Sequence, residues 1–251
     1  MYVSSKYQIM TKYNLQKEPD FLTLPTNELL EKFGQGRHIP GSGSAAAFSG
    51  LLAVELMKTV CKLTISRKEE KYVILRREFT IILELLEKET KPKLIELFQN
   101  DIKVFNELSQ LRIHRDEAKQ LKDKKKEMRF ARLANNKLKE ATEIPLEIAK
   151  TCLGTVDYAF TIFEKGFQSA RGDSGVAISN LLSAVSGSLF VTLINIRTGK
   201  TSKWLKKLRE EAEKIGNTYN TKQKLALNKV FQLYIEGIDI HDYQLKLNFE
   251  E

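Results

Sequence analysis

The run VAISNLLSAVSGSLFVTLINI, residues 176–196, carries no charged side chain, and its reading decides the fold. It is long enough to cross a bilayer, which takes about 20 apolar residues. Against a span, it holds Asn180, Asn195 and five hydroxyl side chains, and it would be the only such segment in the chain. A helix that is apolar on every side is equally suited to the centre of a helical bundle. The bundle is the expectation here, and no membrane partner is expected.

Working outward, the neighbouring patterns are helical too. Upstream lies SAAAFSGLLAVELMKTVCKLTIS, residues 44–66, a second apolar helix whose first half is built from Ala, Ser and Gly. Between the two, Tyr72, Leu75, Phe79, Ile82 and Leu86 recur at three- and four-residue spacings. The pattern is interrupted or kinked at Pro92 and resumes through Leu94, Leu97, Phe98, Ile102, Phe105 and Leu108. Residues 112–139 are polar and basic, an exposed helix or helical hairpin. Residues 143–165 form another amphipathic helix, with Pro145 in its first turn, where proline is tolerated. Two helices, 201–217 and 221–236, complete the chain. Only 5 prolines and 13 glycines interrupt 251 residues, too few for a strand-rich fold with a turn every ten residues or so. The predicted fold is all-α, a single-domain bundle of long helices around two apolar central helices. Its expected bounds are a loosely attached leader over 1–24, the helical domain over 25–240 and a tail over 241–251.

Composition narrows the function. The formal charge is +9, yet lysines are spread along the whole chain among glutamates, and only residues 119–132 are locally dense in positive charge. That describes a solvated surface, and a nucleic-acid partner is not expected. Cys61 and Cys152 sit in apolar helical patterns and read as small buried hydrophobes, suited to a reducing, cytoplasmic setting. His38, His114 and His241 form no cluster, so no metal site is expected.

Both apolar helices are entered through glycine-containing loops: Pro40-Gly41-Ser42-Gly43-Ser44 and Arg171-Gly172-Asp173-Ser174-Gly175. The first N–H groups of a helix lack partners and its dipole is positive there, so an anion or carbonyl oxygen is a natural guest. The plainer alternative is that Ser42, Ser44, Asp173 and Ser174 only cap their helices. Neither loop has the GK[ST] ending of a P-loop. Asp101 stands out separately. It interrupts the apolar face of Phe98, Ile102 and Phe105, where a carboxylate faces protein and its pKa is open to perturbation.

These same segments resemble the formiminotetrahydrofolate cyclodeaminase and methenyltetrahydrofolate cyclohydrolase family. Residues 39–50, IPGSGSAAAFSG, are similar to its PGGGS-x-AA-x-x-G segment, and Leu63-Thr64 followed by Lys71-Tyr72 to its L-T-x(n)-K-K-Y element. Asp101 with Phe105 resembles its D-x-x-A-F helix. Ala141-Thr142-Glu143-Ile144-Pro145-Leu146 resembles A-T-x-V-P-L, and Asp173-Ser174-Gly175-Val176-Ala177 resembles S-D-x-G-V-A. Asn195 falls where the family has an asparagine near the end of the same helix. The matches run in order from about residue 24 to 216.

The resemblance implies an all-α homodimer that acts on a tetrahydrofolate derivative, possibly polyglutamylated, with no cofactor. The activity implied is hydrolase (cyclohydrolase) or ammonia-lyase (cyclodeaminase). It implies Asp101 and Asp173 as acid/base or orienting carboxylates and Pro40, Gly41, Ser42, Gly43, Ser44 and Asn195 as substrate contacts. Lys71 is implied for the glutamate tail. The chain departs from the pattern at Ser42 (usually Gly), His38 (usually Thr), Gly172 (usually Ser), and Val191 and Leu193 (usually Asn and Arg). The competing expectation is a diverged binding or regulatory protein on the same scaffold, without turnover.

Overall fold

The computed structural model describes residues 20–199 and 202–249, with side chains through Asp239. Eight α-helices follow in order: α1 (Thr26–Gly34), α2 (Ser42–Ser66), α3 (Glu70–Val73), α4 (Arg76–Leu85), α5 (Lys91–Gln120), α6 (Lys124–Lys165), α7 (Arg171–Thr198) and α8 (Lys203–Phe249). There is no strand among the described residues, and the chain is the all-α bundle its patterns predict.

The centre is the pair α2 and α7. Both are long and apolar enough to cross a membrane, so residues 176–196 are not alone in this. Each instead has about half of that length buried against the rest of the bundle. Val54, Met57, Val60 and Cys61 on α2 and Leu181, Ala184 and Val185 on α7 are fully enclosed. Burial of each large side chain of this kind contributes about 1.5–3 kcal/mol. α7 packs on α6 and α2, and α5 packs on α6 and α2. Small residues bring the helices close: a Cβ on Gly50 would lie 2.8 Å from the Cys152 sulfur of α6.

α2 and α7 run antiparallel. Near the start of α2, Ala46 lies beside Gly187 in the C-terminal half of α7. At the end of α2, Thr64 Oγ1 accepts the Phe167 N–H at 2.9 Å, four residues before α7 begins. The two glycine-containing helix entries therefore open at opposite ends of the bundle.

Several boundaries differ from the expectation, each for a physical reason. Phe21 is buried in the main core, and Asp20 caps the 3-10 turn Phe21–Thr23 through the Leu22 N–H at 3.1 Å, so the end of the leader is packed. The rest of the leader lies outside the described residues. At Pro92 the helix does not stop: a π turn, Leu86–Thr90, widens the coil just ahead of the ring, and the chain stays helical into α5. Pro145 lies deep inside the 42-residue α6, not in a first turn.

Residues 112–139 take the hairpin form, turning at Leu121–Asp123, with Lys122 at φ 56°. Val104, Leu108, Ala134 and Leu138 give this region its own small core. Lys137 is paired with Glu107 at 2.7 Å and Glu140 at 2.6 Å.

The two helices and tail expected after residue 200 are one helix, α8. Gly216 costs about 1 kcal/mol in a helix interior, and contacts along α6 and into α7 outweigh it. Ion pairs Asp157–Lys222, Glu164–Lys229 and Arg171–Glu236 recur every seven residues along that contact.

Candidate active site

The first helix entry is closed by a residue from another helix. Ser44 is the third residue of α2, and its N–H has no partner within the helix. It donates instead to Asp101 Oδ2 on α5 at 2.8 Å. The Ser44 hydroxyl serves the loop: it donates to the Gly41 carbonyl at 2.9 Å and accepts the Gly41 N–H at 3.0 Å. Gly43 is what lets the carboxylate come so close. A Cβ there would sit 2.2 Å from Asp101 Oδ1, well inside contact distance.

Asp101 is buried, with 9% of its surface exposed. Burial pushes its carboxyl up to about 6, outweighing the hydrogen bond from the Ser44 amide, which acts in the opposite direction. A carboxyl in that range is part ionised and part protonated near neutrality, as a group that both takes and returns a proton should be.

Beside Asp101 lies a cavity of about 410 Å³, lined by the α1–α2 loop, the start of α2, α5, α6 and the end of α7. Asp101, Pro40, Gly41, Ser42 and Gly43 all face it, and so does Asn195 from the last turn of α7. Ser44 stands just behind, holding both the loop and Asp101. Of the departures, Ser42, His38 and Val191 line the cavity, whereas Leu193 does not.

Asn195 is fixed by a consequence of Pro145. Proline has no N–H, so the carbonyl four residues earlier, that of Ala141, loses its helical donor. Asn195 Nδ2 supplies the missing bond at 2.8 Å. One amide N–H is committed there, which leaves the carbonyl oxygen and the second N–H of Asn195 to offer a ligand.

The other predicted residues lie elsewhere. Asp173 is the third residue of α7, where a carboxylate favours the helix dipole. It stands 22 residues before Asn195, or about 33 Å along the helix. Lys71 is exposed, with its amine 4.9 Å from the centre of the Tyr72 ring. The Tyr72 hydroxyl accepts the Gln168 N–H at 3.3 Å, which places Lys71 at the Asp173 end. The expectation that Asp101 and Asp173 form a pair is therefore corrected within one chain: antiparallel packing of α2 and α7 separates them. Lys71 is likewise outside the cavity.

The cavity also recruits Phe33, Arg37, His38 and Phe105. His38 and Phe105 bring their rings to 6.3 Å. Only proximity to the Pro40–Ser44 run pointed to Arg37, which belongs to no periodic pattern. Among the described residues, no three His, Cys, Asp or Glu side chains gather as metal ligands do.

A helical bundle with a buried acid at a helix entry defines the class of protein, and comparison with known proteins supplies the family. The sequence model of the formiminotransferase-cyclodeaminase family matches residues 25–214, and the chain belongs to that family. It is 32% identical to the methenyltetrahydrofolate cyclohydrolase of Methylorubrum extorquens over 165 residues, 64% of this chain and 74% of that protein. Its fold is similar to that of the formiminotetrahydrofolate cyclodeaminase of Thermotoga maritima, with a TM-score of 0.66 and 22% identity over 83% of this chain and 98% of the other.

Proposed function

We propose that this chain is a folate one-carbon enzyme, a methenyltetrahydrofolate cyclohydrolase in the first instance, working in the cytoplasm without a metal or cofactor. The observation that carries this is Asp101, a buried carboxyl near pH 6 at the edge of a cavity of about 410 Å³. The methenyl bridge of the substrate is a delocalised cation, and a carboxylate is its natural neighbour. Asp101 takes a proton from the water that adds to the bridge carbon. It then returns that proton to the ring nitrogen as the carbon–nitrogen bond breaks, while the added hydroxyl releases its own proton to solvent and becomes the carbonyl of the formyl product. The amides at the start of α2 and the Asn195 oxygen orient the polar edge of the substrate.

The same cavity suits the cyclodeaminase step, in which one folate nitrogen attacks the formimino carbon and ammonia leaves. The relative at 32% identity is a cyclohydrolase, which puts that reaction first. Free, buried Cys61 and Cys152 accord with a reducing compartment.

A homodimer is part of the proposal. Val176, Ser183, Phe190 and Ile194 form an exposed, uncharged stripe on α7, small in its middle. Two copies of α7 packed antiparallel about position 184 would set Asp173 of one opposite Asn195 of the other, each eleven residues from the centre. Asp173 then reaches a cavity it cannot reach in its own chain.

The test is calorimetric titration with a stable folate analogue, together with an assay that follows the loss of methenyltetrahydrofolate absorbance and one that follows ammonia release. Binding with turnover in either assay supports the proposal. Saturable binding without turnover would favour the binding-protein alternative, and no binding would end both.

A further inference from the structure

Resting on the folate reading, we propose that Arg37 holds the glutamate carboxylate of the substrate, so that the tail leaves the cavity across the α1–α2 loop and not toward Lys71. Three titratable side chains line the cavity: Asp101, His38 and Arg37. Arg37 alone among them is a permanent cation, and no carboxylate among the described residues pairs with it. Several lysines along the helix contacts of the bundle are, by contrast, engaged. Lys58, Lys91, Lys137, Lys150, Lys165, Lys222 and Lys229 each have a carboxylate within 4.0 Å.

The loop that carries Arg37 is built as a wall of the cavity. Gly36 turns the chain at φ +70°, a conformation that L side chains rarely adopt. Pro40 is buried, and a Cβ on Gly41 would lie 2.9 Å from the His38 carbonyl oxygen. The residues on either side, Phe33, His38, Pro40 and Gly41, line the same space. The position of Arg37 is therefore set by its neighbours, while the residue itself is exposed and borders the cavity.

The charges of the cavity and of the substrate then match. The methenyl end of the substrate is cationic and each glutamate adds carboxylates at the other end. The cavity offers a carboxyl in Asp101 and a guanidinium in Arg37. A guanidinium binds a carboxylate through two parallel hydrogen bonds, which adds direction to charge. Lys71 has neither advantage: it does not line the cavity, and its amine stands over the ring of Tyr72 at the far end of α7.

The experiment compares wild type, Arg37→Gln, Arg37→Lys and Lys71→Gln on three substrates: methenyltetrahydrofolate, its triglutamate, and the methenyltetrahydropteroate that has no glutamate. Circular dichroism checks that each variant is folded. Arg37→Gln should raise KM for both tailed substrates about tenfold or more with kcat little changed, and Arg37→Lys should recover part of the loss. On the tail-less substrate Arg37→Gln should match wild type. An equal loss on the tail-less substrate, or a loss of tail preference in Lys71→Gln in place of Arg37→Gln, would overturn the assignment. Failure of wild type to bind any of the three would overturn the folate reading with it.

Discussion

The two ends of α7 carry the same kinds of residue and do opposite things with them. At the Asn195 end, a carboxyl from α5 is buried over Gly43, takes a helix-entry N–H, and borders a cavity. At the Asp173 end, the carboxylate stands at its own helix start, half-buried, among half-buried arginines and aromatic rings. There Arg67 lies 3.5 Å over Phe167 and Arg171 lies 4.7 Å from Phe163. A helix entry with a nearby acid is thus not enough to make a site. What separates the two is desolvation: only the Asp101 end withdraws the carboxyl from water and leaves a ligand-sized space beside it.

The largest effect expected is at Asp101. Asp101→Asn should lower kcat by about 10²–10⁴-fold while raising stability. The folded protein holds this carboxyl near 6 against an ordinary 3.8, so its contribution to stability is full below about 3.8 and is lost as pH rises through about 6. The asparagine keeps an acceptor for the Ser44 N–H and has no charge to bury. It should therefore be more stable than wild type at pH 7.5 by about 1–3 kcal/mol, with the gap closing below pH 4. Urea melts across pH check this, and a destabilised, fully active Asp101→Asn would remove the contrast between the two ends.

Next in size is Gly43→Ala. The new Cβ would meet Asp101 Oδ1 at 2.2 Å, so the carboxylate must move off the helix entry. A fall in kcat of roughly 10²-fold is expected, following the cost of a 1 Å misplacement, with a loss of about 1–3 kcal/mol for the shift. Steady-state kinetics and thermal melts on the same sample separate the two.

Asn195→Ala sharpens the comparison from the other side of the cavity. It leaves the Ala141 carbonyl without a donor and should cost about 1–3 kcal/mol. In a Pro145→Ala background, where residue 145 regains its N–H, the same change should cost much less. A double-mutant cycle in urea measures the difference. Equal costs in both backgrounds would separate Asn195 from Pro145.

The smallest effect tests the far end. Ser183→Arg puts a charge in the middle of the exposed α7 stripe and should shift sedimentation from dimer to monomer. If Asp173 reaches the cavity only across that contact, Asp173→Asn and Ser183→Arg should each lower turnover several-fold and not add. Dimers that survive Ser183→Arg would move the interface elsewhere.

Much of this was legible in the sequence. The uncharged run 176–196 and the Ala-Ser-Gly start of residues 44–66 give the two central helices, because an apolar helix without a polar face has to be enclosed. Asp101 showed as a carboxylate breaking an apolar face. That Asp101 and Asp173 stand at opposite ends of one chain is not legible, because helix periodicity carries no information on whether neighbours run parallel or antiparallel. Asn195 was placed by resemblance, and its physical role became visible only with the Ala141 carbonyl that Pro145 leaves open. Arg37 was marked only by its nearness to the Pro40–Ser44 run, since a loop residue follows no period. The split expected between residues 217 and 221 is the opposite case: α8 runs through it unbroken, packed on α6 and α7.

The most direct test is the pH dependence of kcat for methenyltetrahydrofolate hydrolysis, measured side by side in wild type and Asp101→Asn. A catalytic Asp101 predicts a wild-type rate that falls as pH drops through about 6, the value to which burial raises this carboxyl. It predicts a variant that is slower by about 10²-fold or more and has no inflection there. A variant that kept both the wild-type rate and its pH profile would show that Asp101 only caps α2, and the chemistry would have to be sought elsewhere.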